Sequence, residues 1–142
     1  MRIRDKIGAI ALLTAVIAGT AVTPAFAAAE GSFTSSLSQA QPGFGSRTWT
    51  DKNSTTQTTT VKLTGCKVNL GGAAPGSTTL KSVGVALIKN GSIVGNISKA
   101  CGTYDFGRLG AGQYYFRISD VNGTPCCDNR IFLNASSVVV TY

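Results

Sequence analysis

The sequence predicts an all-β protein: a small antiparallel β-sandwich, Ig-like or jelly-roll-like, cross-linked by disulfides and preceded by an extended N-terminal arm. Three observations lead there. Apolar and polar residues alternate over short stretches such as TVKL and YYFRI, the period of a half-buried strand. Gly and Asn punctuate these stretches, while helix-favouring Leu, Glu and Lys are sparse against Thr, Val, Gly and Ser. The 4 cysteines all follow an export-type leader.

That leader spans residues 1–27. Arg2, Arg4 and Lys6 form a basic start, Ile7 to Val22 is an apolar and small-residue run, and Ala25-Phe26-Ala27 offers a signal-peptidase site. The run is short for a membrane span, so the expectation is a secreted, extracellular chain without stable membrane insertion. The mature part then holds 10 basic against 5 acidic residues, a net +5, and is long enough for one core. Its basic residues are scattered, which argues against nucleic-acid binding.

Residues 28–45 read as the arm. GSFTSSLSQAQPGFGSR carries Phe33, Leu37 and Phe44 as its large apolar residues and shows no period-two alternation. So polar a segment gains too little from burial to offset its ordering entropy unless a partner supplies a groove. Strand addition into such a groove would use main-chain hydrogen bonds for affinity and those three side chains as anchors.

The sandwich domain is expected over 46–142, with Trp49 docking on its core. TQTTTVKLTGCKVNL reads as a long strand whose apolar parity changes at Gly65, the mark of a bulge. Gly71 to Thr79 reads as a loop. Ser82 to Ser98 is a hairpin turning at Asn90-Gly91, the residues that supply the two positive-φ positions of a type I′ turn. TYDFGRL and GAGQYYFRISDVNG follow as strands, the second with Tyr114, Phe116 and Ile118 on one face and a turn at Asn122-Gly123. IFL and SSVVVTY close the chain.

Cys66, Cys101, Cys126 and Cys127 allow three connectivities. A bond between neighbours requires an eight-membered ring and ranks last. Side chains of adjacent residues on an extended segment point to opposite faces, so one of the pair is expected to reach Cys66 and the other Cys101. The absence of histidine and of a C-x-x-C clip speaks against zinc, and nothing in the sequence asks for a cofactor.

The catalytic inventory is thin. Ser-His and Cys-His nucleophile pairs cannot be assembled without histidine. Of the carboxylates, Glu30 lies in the arm, and Asp51, Asp105, Asp120 and Asp128 lie at strand ends or in loops, where solvated turn aspartates are ordinary; Asp105 and Asp120 are the pair that might converge. The expectation is a non-enzymatic protein. Tyr115 and Arg117 share the outward parity of their strand and form a candidate surface patch, with a cross-strand packing pair as the competing account.

In layout, the polar arm, SRTWTDKNSTTQTTTVKLTGC and GAGQYYFRISDVNG together resemble the adaptor subunit of the Streptomyces umbrella toxin particles. The resemblance covers the mature chain loosely and transfers no binding residue. It implies a linker joining a large toxin subunit to lectin-like subunits, its N-terminus lying in the lectin-like partner's cleft. The arm and the resemblance together favour a secreted adaptor acting through that arm, which the resemblance implies belongs to an extracellular antibacterial toxin complex. The alternative is a stand-alone carbohydrate-binding or enzyme-inhibitor sandwich, for which Trp49, Tyr104, Tyr114 and Tyr115 are the candidate aromatic contacts.

Overall fold

The computed structural model describes residues 28–72 and 75–142; the expected signal peptide, 1–27, lies outside them. The strands are β1 (Ser32–Ala40), β2 (Trp49–Asp51), β3 (Thr60–Thr64), β4 (Lys67–Leu70), β5 (Gly76–Thr78), β6 (Val83–Lys89), β7 (Ser92–Lys99), β8 (Thr103–Asp105), β9 (Gly112–Val121), β10 (Thr124–Pro125) and β11 (Ile131–Thr141). They form two antiparallel sheets. In the first, β11 is central, with β1 on one side and β3 and β4 end to end on the other, flanked in turn by β8 and β5. In the second, β6 lies between β7 and β9, and β2 and β10 pair with the two ends of β9.

The core lies between the sheets and takes the inward residues of both, among them Val61, Leu63, Val85, Leu87, Phe116, Ile118, Leu133 and Val140. Trp49 is buried within it, against Tyr114 and Tyr142 at ring-centroid distances of 6.2 and 5.9 Å. Both Asn-Gly turns form as the sequence predicts, with φ of 48° and 87° at Asn90-Gly91 and 52° and 77° at Asn122-Gly123.

The parity change at Gly65 is present, but it is not a one-sided bulge. Thr64 lies opposite Ser137 and Lys67 opposite Asn134, so the register is kept across the break. β11 changes parity at the same place: Leu133 and Ala135 are buried on one side of it, Val138 and Val140 on the other. Both strands therefore kink together. Gly65, at φ +64°, permits this, since a Cβ there would collide with Ser136 Oγ.

The segment expected to lie free as an arm is instead built into the domain. β1 pairs along β11 from Ser32 opposite Thr141 to Ala40 opposite Leu133, and Phe33, Leu37 and Ala40 are buried in the core. Two register shifts, between Ser35 and Leu37 and between Leu37 and Ala40, space these residues irregularly. That irregularity hides the strand from a period-two reading. Glu30 anchors the approach to β1 by accepting hydrogen bonds from the Lys52 and Ser54 N–H groups at 2.7 and 3.0 Å. The Ser54 hydrogen bond above all holds its carboxyl below the usual range.

The disulfides pair Cys66 with Cys101 and Cys126 with Cys127. The expected cross-pairing does not form. Cys66 follows the kink and Cys101 follows β7, within reach of one another, whereas Cys126 and Cys127 sit exposed after β10, away from the core.

Tyr104 joins the sheets at the β7–β8 side. Its buried hydroxyl lies 3.2 Å from the Val83 carbonyl oxygen, 3.3 Å from that of Lys99 and 3.4 Å from that of Ala100. Burial, helped by the Asp120 charge, pushes its pKa up to about 12. An unfolded tyrosine ionises near pH 10. The raised folded value means that this contribution to stability is complete below about pH 10 and is lost as pH rises towards 12. Tyr104→Phe should therefore cost about 1 kcal/mol at neutral pH and flatten the alkaline fall in the urea midpoint. If wild type and variant fall in step between pH 10 and 12, the assignment is wrong.

Candidate partner-binding groove

After β1 the chain crosses from one sheet to the other. Gln41-Pro42-Gly43 makes the turn: the Phe44 N–H donates to the Gln41 carbonyl at 2.9 Å, and Gly43 takes a φ of +103°. The chain then runs along β9. Gly43 N–H donates to Ile118 O at 2.7 Å, Ile118 N–H to Phe44 O at 2.9 Å, and Ser46 N–H to Phe116 O at 2.9 Å. Phe116 N–H donates to the Ser46 hydroxyl at 3.0 Å. One continuous stretch thus edges both sheets.

Between β1 and this crossing lies a groove of about 160 Å³. Phe33, Leu37, Phe44 and Arg47 line it, and the core residues Phe116 and Val138 reach it. The Arg47 guanidinium sits over the Phe33 ring, 3.9 Å from its centroid, a cation–π contact. The structure therefore gathers the predicted arm residues in one place, though not as anchors on a free peptide. Phe33 and Leu37 are buried in their own domain, while Phe44 is 42 % exposed. Arg47 and Phe116 escaped sequence reasoning because only the crossing brings them beside β1, and Val138 because its place opposite Ser35 depends on the pairing of β1 with β11.

The side of β1 away from β11 pairs with no strand among the described residues. The same is true of the far side of β7, whose Ile93 and Val94 are 57 % and 46 % exposed. Tyr115 and Arg117 point to the outer face of the second sheet, where Tyr115 lies opposite Ile88, and Ile88 opposite Ile93. Gly45 bridges to Arg117, and a Cβ on it would touch the Tyr115 ring at 3.7 Å. Both residues are half-buried, and their neighbours are those of a cross-strand packing row. Of the other aromatic candidates, Trp49, Tyr104 and Tyr114 are buried and offer no open ring face.

The carboxylates are spent locally. Asp51 accepts the Asn53 N–H, Asp105 the Gly107 N–H, and Asp128 pairs with Arg130 at 2.9 Å. That pairing lowers the pKa of Asp128 and raises that of Arg130. Asp120, on β9, accepts from Ser98 and Ser119. Asp105 and Asp120 share no hydrogen-bond partner and stand on different sheets, so the structure does not bring them together as an acid–base pair. Among the described residues no group of three or more His, Cys, Asp or Glu is placed to hold a metal ion. No helix there is long and apolar enough to cross a membrane. No protein-family model matches the chain, and no curated protein matches it.

Proposed function

We propose that the chain is a secreted, non-enzymatic interaction module of an extracellular protein complex, which receives an extended segment of a partner protein along β1. The observation that carries this reading is the open nine-residue edge of β1 with an apolar groove beside it. An edge strand offers unpaired N–H and C=O groups to an incoming strand, and isolated pockets select its side chains. On this reading the N-terminal segment receives a partner strand instead of inserting into a partner's cleft. The second open edge, β7, lies across β9 and β6 from the crossing. Two edges on two sheets suit an adaptor that holds one subunit on each, such as a lectin-like subunit and a large toxin subunit.

Immobilised protein exposed to the producing cell's culture fluid tests this. Phe44→Ala removes an exposed groove wall, and Ser36→Lys places a charge on the open edge. Each should weaken partner capture about tenfold, about 1.4 kcal/mol, without moving the melting midpoint. Wild-type capture by both variants would refute the β1 site. Retained binding to immobilised glycans alone would favour the carbohydrate-binding alternative.

A further inference from the structure

The two disulfides differ in what they can do for the fold. Cys66–Cys101 links residues 35 apart in sequence and has both cysteines half-buried against the core. Cys126–Cys127 links neighbours and so restrains no loop of the unfolded chain. Both of its cysteines are exposed. They line a shallow depression of about 380 Å³ with Gln39, Gln41, Pro42, Gly43 and Phe44. Gly43 leaves room for the pair, since a Cβ there would lie 2.8 Å from Cys126 Sγ. The nearby Asp128 carboxylate is paired with Arg130, so its charge is balanced where an anion would approach.

We propose that Cys126–Cys127 is a thiol-exchange site, which takes a thiol-bearing ligand from the surrounding medium into a mixed disulfide beside the crossing. A ligand thiolate attacks one sulfur of the pair. A new ligand–cysteine S–S bond forms, the Cys126–Cys127 bond breaks, and the other cysteine leaves as a thiolate that takes a proton from water. No net oxidation or reduction occurs. Exposure of the disulfide lets a thiolate reach it, and the depression is large enough to seat a small peptide thiol. Exchange needs only a thiolate and does not depend on a strand being bound along β1.

Reduced glutathione is the probe. The intact mature protein is incubated with it, released thiols are trapped with iodoacetamide, and peptides are mapped by mass. The expected result is a glutathione adduct on Cys127 or Cys126, with the other alkylated, forming at least about tenfold faster than any opening of Cys66–Cys101. The double variant Cys126→Ser, Cys127→Ser should take no adduct, melt with the wild type and still capture a partner strand through the β1 groove. Both disulfides staying closed, or Cys66–Cys101 opening as fast as the exposed pair, would overturn the proposal. So would a lower melting midpoint in the double variant, since the pair would then be a structural staple. Loss of strand capture in Phe44→Ala leaves these outcomes unchanged, so the two readings fail separately.

Discussion

A chain lacking residues 28–45 is expected to lose its cooperative unfolding transition. The segment supplies Phe33, Leu37 and Ala40 to the core. Truncating a buried Phe or Leu to Ala costs about 3–5 and 2–5 kcal/mol respectively, so losing both approaches the whole stability of an ordinary domain, about 5–15 kcal/mol. Deletion also strips β11 of its partner on one side and removes the Phe44 carbonyl that accepts the Ile118 N–H. Each buried donor left unpaired costs about 1–3 kcal/mol more. Circular dichroism with temperature checks this directly. Phe33→Ala and Leu37→Ala provide graded versions, each lowering the urea-derived stability by about 3 kcal/mol. A truncated chain that melts as the full one does would show that β1 is dispensable to the fold.

The second large effect is expected from Cys66→Ser combined with Cys101→Ser. Releasing a link between residues 35 apart returns about 3–4 kcal/mol of chain entropy to the unfolded state. For a domain of this size that corresponds to a fall of about 15 °C in melting midpoint. The link also fixes the kink after β3 to the connection between β7 and β8, where the Leu63 N–H donates to the Gly102 carbonyl at 2.9 Å. Calorimetry of the double variant beside the wild type, both under non-reducing conditions, measures the difference. A midpoint within about 2 °C would mean that the unfolded chain already holds these residues close.

The sheet interior was legible in the sequence because its signals are local. Asn90-Gly91 set the β6–β7 hairpin, and the alternation of Tyr114, Phe116 and Ile118 set β9. IFL and SSVVVTY read as two segments because Ser136 sits where β11 kinks, and only the partner strand reveals that they are one. β1 was not legible. Its buried residues fall at 33, 37 and 40, a spacing made by two register shifts against a strand a hundred residues away in sequence. Its polar composition suits an edge strand wetted on one side, which resembles an unstructured leader when read alone. The groove shares that blindness, since Phe44 and Arg47 gain meaning only when the crossing sets them beside Phe33. The Cys126–Cys127 pair was visible, but opposite-facing side chains on an extended strand were the wrong geometry for residues lying beyond β10.

The Gly31 and Tyr142 backbones each donate to the other, at 2.8 and 2.9 Å, and Ser32 lies opposite Thr141. β1, the first strand among the described residues, must therefore wait for β11, the last of them. Until then Phe33 and Leu37 have nowhere to go, and the edge of β11 that would receive them does not exist. Ring closure of this kind makes folding slow and all-or-none, because the hundred or so residues between β1 and β11 must be present before the two strands can zip together. It also makes β1 and β11 mutually protective: a protease that frays one of them unseats the other.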